Sequence, residues 1–179
     1  MYFSKFPLRV YDVKGNKNYK LLPDILRRVK LRSSLASSRF VFDKYNVKED
    51  ENPEDIAFKY YGDAEYHWVV LMVNNVTDRY YQWPMRQADF EEFLTDKYGA
   101  GNEDATHHHE LAQTSGKTTS IDDSHMLEVN SDTDGATTIT NRQFEERQQN
   151  KLRQIRLLED KYLDAFTEEF FGLIKKNRF

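Results

Sequence analysis

The sequence predicts an α+β chain. A small β-α-α-β module follows an extended basic arm and precedes a polar hairpin or loop insertion and C-terminal helices. Three observations point there. Residues 40–47, Phe-Val-Phe-Asp-Lys-Tyr-Asn-Val, are rich in the β-branched and aromatic side chains that favour strands. Two apolar helical patterns follow closely, parted by Gly62 and ended by Asn74-Asn75. Beyond residue 142, apolar residues return at three- and four-residue intervals.

The arm covers residues 1–39. Gly15-Asn16 marks a turn, and Pro23-Asp24 is placed to open a helix. That helix would carry Ile25, Leu26, Val29 and Leu31 on one face and Arg27, Arg28, Lys30 and Arg32 outside. An arm this basic, with few apolar residues, is expected to order against something else.

The module and the helix after it cover 40–99. Asn52 suits an N-cap, Pro53 the first helical position and Asp55 the reciprocal position of a capping box. The acids at 49, 50, 51, 54 and 55 stand where the helix dipole favours negative charge. Ile56, Ala57, Tyr60 and Tyr61 form the apolar stripe, and Gly62 ends the helix. Asp63 is placed to cap a second helix burying Tyr66, Trp68, Val69, Val70, Leu71, Met72 and Val73. Tyr80, Tyr81 and Trp83 read as a short closing strand stopped by Pro84. A third helix, Arg86–Tyr98, sets Phe90, Phe93 and Leu94 on one face and ends at Gly99.

Residues 100–141 hold no aromatic residue and are dominated by Ser, Thr, Asp and Gly. They read as a flexible insertion or as hairpins turning at Ser115-Gly116 and Asp134-Gly135, outside any core. In 142–179, Phe144, Leu152, Ile155, Leu158, Tyr162, Phe166, Phe170 and Ile174 predict one long helix, or two broken near Leu158–Lys161. The apolar run Phe170-Phe171-Gly172-Leu173-Ile174 either folds back on the core or docks on a partner.

Composition excludes several classes. The 179 residues contain no cysteine, so disulfide frameworks, thiol catalysis and Cys-based metal sites are out. The N-terminus lacks the apolar region of a secretory signal, and no run approaches the roughly 20 apolar residues of a membrane span. The expectation is a soluble protein of the cytoplasm or of an assembled particle. Net charge −4 conceals an asymmetry: residues 1–48 carry 12 Lys/Arg against 3 Asp/Glu, and residues 49–141 carry 5 against 20. That split gives a basis for charge-steered protein docking, or simply a solvated surface. No nucleic-acid motif accompanies the basic arm.

Candidate chemistry is sparse. Of His107–His109 only the first and third would share a strand face, with no third ligand at metal spacing. Asn130–Gly135 resembles half a calcium loop, but the first position is Asn and the twelfth is Asn141. The carboxylate pairs Glu91/Glu92, Asp122/Asp123 and Glu168/Glu169 lie on polar faces rather than in an apolar cleft. No phosphate loop or nucleophile elbow occurs, and neither enzyme activity nor a cofactor is expected. Among the aromatics, Tyr80, Tyr81 and Trp83 are expected to be the most exposed. They could stack on sugar rings or anchor a protein interface.

Several segments carry a family resemblance. Val47, Glu49-Asp50-Glu51, Ile56-Ala57, Tyr60-Tyr61-Gly62, Asn74-Asn75 and Trp83-Pro84 resemble a LysM module. Asn52–Ala57, Tyr61-Gly62-Asp63, Tyr66–Leu71 and the run Asn150–Leu158 together resemble the baseplate wedge protein 53 family of T4-like contractile-tailed bacteriophages. The resemblance implies a non-enzymatic subunit of the virion tail baseplate, assembled in the host cytoplasm, whose LysM-like domain joins wedges by protein contacts. Its partners would be other wedge subunits, including the ring-forming wedge protein and the sheath initiator, with no nucleic acid or membrane. Tyr80, Tyr81, Trp83, Ile155, Leu158, Phe170, Phe171 and Ile174 are the candidate partner-binding residues. The alternative is a peptidoglycan- or N-acetylglucosamine-binding LysM module. Glycan-binding modules typically show Gly-Asp-Thr where this chain has Glu49-Asp50-Glu51-Asn52.

Overall fold

Residues 1–83 and 154–179 make up one unit of the computed structural model, and residues 84–153 make up a second. Positions 2–27, 29, 40–114 and 121–175 are described. The first part of the chain supplies β1 (Leu8–Tyr11), β2 (Lys20–Pro23), β3 (Phe42–Asn46), α1 (Pro53–Tyr61), α2 (His67–Val73) and α3 (Arg79–Gln82). Then come α4 (Gln87–Tyr98), β4 (Thr106–Thr114), β5 (Ile121–Val129), β6 (Thr137–Thr140), α5 (Asn141–Arg153), β7 (Gln154–Leu158) and α6 (Leu163–Lys175). Helices and strands both form, in keeping with the α+β expectation.

The first unit is built around an antiparallel pair, β3 with β7, in which Phe42 faces Leu158, Lys44 faces Arg156 and Asn46 faces Gln154. Helix α1 starts as its sequence dictates. The Asp55 carboxylate accepts from the Asn52 backbone N–H at 3.0 Å, and Pro53 fills the first turn. Gly62 ends the helix at φ +76, a left-handed conformation that costs a residue without Cβ little, and donates to Phe58 O at 3.0 Å. Asp63 then caps a 3-10 turn, accepting from Glu65 N at 2.8 Å, and the turn runs into α2. One cluster joins Val47, Ile56, Ala57, Val70 and Trp83 to Ile155 and Leu157 of β7. Another joins Phe6, Trp68, Val69 and Val73 to Leu158, Leu163, Phe170 and Ile174. Burial of each such side chain contributes roughly 1.5–3 kcal/mol.

Two expectations fail here. Tyr80–Trp83 is no closing strand, because the Asp78 carboxylate accepts from Tyr80 N and starts a helical turn instead. The strand that pairs with β3 comes from 154–158, inside the segment expected to be helical. Alternate burial of Ile155 and Leu157 against the helices outweighs the helical spacing of its neighbours. At the N-terminus, Pro23 closes β2 and Asp24–Arg27 forms a turn, so no helix opens at Pro23. Residues 28 and 30–32 of the expected helix lie outside the described residues.

The second unit is a three-stranded sheet in the order β5-β4-β6 with α4 and α5. Within the polar stretch, Thr106–Thr114, Ile121–Val129 and Thr137–Thr140 are strands, joined where described by turns. The turn expected at Ser115-Gly116 lies outside the described residues, while β4 and β5 pair from His109↔Val129 to Thr114↔Ile121. Asp134-Gly135 does not close a hairpin: β6 pairs with β4, so the segment from Asn130 to Ala136 carries the chain across to the far edge. The histidines do not alternate as a regular strand would have them. The register shifts between Thr106 and His108, and both the His107 and His108 rings lie against Phe144, at 4.1 and 5.8 Å. Buried Glu145 accepts from Lys97 Nζ at 2.6 Å and Tyr98 Oη at 2.7 Å, tying α5 to α4. Buried Glu110 accepts from His108 at 2.8 Å and Arg147 at 2.6 Å, tying β4 to α5.

Candidate docking surfaces

Helix α3 is a single turn held by polar side chains at both of its ends. Gln82 Oε1 accepts from Thr77 N at 2.7 Å and Asp78 N at 3.0 Å. Arg79 reaches to α1, donating to Glu54 Oε1 at 2.8 Å and to Asn52 Oδ1 at 2.9 Å. With the backbone so fixed, Tyr80 and Tyr81 stand 87% and 79% exposed. Phe58, one helical turn beyond Glu54 on α1, is exposed too. Trp83 behaves differently. It is buried, and its indole N–H donates to Glu51 O at 3.0 Å. Trp68 is buried as well, so neither tryptophan offers a face for a sugar to stack on.

One apolar display among the described residues is one the sequence reading missed. In the β1–β2 hairpin, Leu8 pairs with Pro23 and Val10 with Leu21, which places these four side chains on one face. Arg9, Tyr11, Lys20 and Leu22 occupy the other. All eight residues are exposed, with Leu8, Val10 and Leu21 at 60–65%. Yet the hairpin is well held at both ends. At its base Phe6 is buried in the core cluster, Asp24 N donates to Pro7 O at 2.9 Å, and Arg27 Nη1 donates to Ile174 O at 2.8 Å. At its tip the Asp12 carboxylate accepts from the backbone N–H of Lys14, Asn16 and Lys17. Lys14 and Lys17 give that loop a basic rim. The signal was available in Leu8-Arg-Val-Tyr and Lys20-Leu-Leu-Pro, each four residues long, on either side of the Gly15-Asn16 turn.

The remaining candidates lie inward. Ile155, Leu158, Phe170 and Ile174 are buried in the two core clusters. Phe171 is half-buried, its ring 5.6 Å from Trp68 with the Lys5 ammonium 4.5 Å above it. Only Tyr80 and Tyr81 of the eight present a largely open side chain. Among the described residues no group of three or more His, Asp or Glu could hold a metal ion. No helix of the described residues is long and apolar enough to cross a membrane.

An anchored, bare, apolar face and, elsewhere on the unit, two exposed tyrosines suit macromolecular contact rather than small-molecule chemistry. Comparison with known proteins agrees. The family of base plate wedge protein 53 matches over residues 1–125. The baseplate wedge protein gp53 of Enterobacteria phage T4 is 31% identical over 112 residues, 60% of this chain. The match spans 57% of the length of that relative. The chain belongs to the base plate wedge protein 53 family.

Proposed function

We propose that this protein is a structural subunit of a phage tail baseplate wedge and joins neighbouring wedge proteins through non-covalent protein contacts. The observation that carries the reading is the β1–β2 hairpin. An isolated two-stranded hairpin is marginal in water, and this one leaves a wholly apolar face open while fixing its base and tip. Such a face suits burial in an assembled particle, and the exposed tyrosines of α3 suit interface anchors. The β3-α1-α2-β7 arrangement supports a LysM-like unit turned to protein contact, with the ring-forming wedge protein and the sheath initiator as the partners the family resemblance implies. Assembly would take place in the host cytoplasm.

The test is co-expression with the other wedge proteins of the same phage, followed by sedimentation. The native chain is expected to co-sediment with them. A Val10→Asp/Leu21→Lys variant, which sets opposite charges on a facing pair of exposed positions, should melt like the native chain, since substitutions at exposed positions change stability by about 0.5 kcal/mol or less. That variant should nevertheless drop out of the complex. Normal incorporation of the folded variant would remove the hairpin from the interface, and failure of the native chain to join any wedge protein would overturn the function.

A further inference from the structure

The two outer edges of the β3–β7 pair are treated differently. On β7 the Asn74 side chain stands in for a neighbouring strand: its Nδ2 donates to Arg156 O at 2.8 Å, and its Oδ1 accepts from Arg156 N at 2.9 Å. Arg156 therefore turns its backbone N–H and C=O away from β3. In an antiparallel ladder, facing residues both point inward or both point outward, and alternate along the strand. Arg156 faces Lys44, so Lys44 also points its backbone groups outward, as do Phe42 and Asn46 two positions away. Among the described residues no hydrogen-bonding partner meets these outward groups of β3. One edge is closed by a side-chain amide, and the other is left as a template for pairing.

We propose that the outer edge of β3 receives an extended, acidic segment of another baseplate protein as an added strand, the mode known as β-augmentation. This rests on the structural-subunit reading and names one of its contacts. The charge at the edge selects the occupant. Lys44 is exposed, and on the same face Arg156 lies over the Phe42 ring at 4.6 Å and donates to Val73 O at 2.8 Å. Beside them lies a cleft of about 620 Å³ lined by Lys44, Asn46, Asn74, Gln154 and Arg156. A carboxylate on the added strand would stand across the new ladder from Lys44, with the Asn46 and Gln154 amides on the same face as donors for its second oxygen. A second copy of this chain fits less well. Antiparallel self-pairing centred on β3 would set Lys44 opposite Lys44, and like charges directly opposite destabilise a sheet.

Hydrogen exchange resolved to single amides tests this on the free chain and on the same chain in purified phage tails. In the free chain Lys44 and Asn46 should exchange rapidly while Asp43 and Tyr45, which bond inward, are protected. In tails all four should be slow, Lys44 and Asn46 by about 100-fold or more. The exposed-site variant Lys44→Glu should fold with native exchange at Asp43 and Tyr45. Its incorporation should fall about tenfold below Lys44→Gln, the size of a lost charge-assisted contact. Rapid exchange at Lys44 and Asn46 in tails that contain the chain would overturn the added strand and leave the structural role standing. Protection of those amides in the free chain together with dimers in sedimentation would assign the edge to self-pairing instead. Absence of the chain from tails would overturn the function and this contact with it.

Discussion

Glu51 shows how single residues hold the first unit. Its carboxylate is 3% exposed and accepts from Tyr45 Oη at 2.8 Å, Lys48 N at 3.1 Å and Lys59 Nζ at 2.6 Å. Burial alone would raise its pKa, but the donations from Lys59, the Lys48 backbone and Tyr45 outweigh that and hold it below the ordinary carboxylate value of 4.5. Burial, followed by the bond to Glu51, pushes the Tyr45 hydroxyl up to about 12. Because the folded pKa of Glu51 lies below the unfolded one, its contribution is fully present above 4.5 and is lost as pH falls through the folded value. Glu51→Gln should therefore lower stability at pH 7 by about 1–3 kcal/mol, by leaving buried donors poorly matched. It should also soften the loss of stability on acidification, and thermal melts at neutral and acid pH read both effects. A variant that loses as much further stability in acid as the native chain would show that this carboxylate does not set the acid limit.

At the scale of elements, β7 and α6 are core parts of the first unit. Phe170 packs 4.5 Å from the Trp68 ring, and Ile174 is 1% exposed. The apolar C-terminal run thus folds back, the first of the two outcomes its composition left open, so removing it attacks folding itself. Phe170→Ala should cost about 3–5 kcal/mol in denaturant unfolding of the free chain. An unchanged midpoint would mean α6 is not docked in solution. These elements also show what the sequence could and could not convey. The capped start at Asn52-Pro53, the Gly62 stop and the α4 end at Gly99 were legible because each depends on a local backbone requirement. Strand β7 was not: Ile155 and Leu158 fit a helical spacing with Leu152 and Tyr162, and only the distant partner Phe42–Asn46 decides otherwise. Tyr80-Tyr81-x-Trp83 has strand-forming residues, yet the Asp78 cap decides for a helix. The openness of Tyr80 and Tyr81 followed from their crowding beside a proline. The burial of Trp83 depends on a carbonyl 32 positions away.

For the whole molecule, charge is the property most readable from sequence and least tied to fold. The hairpin region bears Lys5, Arg9, Lys14, Lys17, Lys20 and Arg27, and its two acids are both engaged, Asp12 by backbone N–H groups and Asp24 by Arg27 at 3.3 Å. A basic, anchored blade should bring the chain to an acidic partner quickly at low salt. The association rate with wedge proteins is expected to fall by about tenfold or more between 0.01 and 0.15 M salt, as screening shortens from about 30 to about 8 Å, with the dissociation rate nearly constant. Stopped-flow mixing reads both rates, and a salt-independent association rate would assign the basic residues to solubility alone.

The ladder between Phe42–Asn46 and Gln154–Leu158 also sets a timetable for synthesis. The chain of the second unit, 84–153, is complete before the strand that closes the first unit has been made. At 5–20 residues per second, β3 waits roughly 5–20 s for its partner strand, with its inward-facing amides as unpaired as its outer ones. In chains that stop short of β7 and are held on the ribosome through a linker long enough to clear the exit tunnel, protease should therefore cut within residues 1–83 while 84–153 resists, an order of maturation that runs from the middle of the gene product outward.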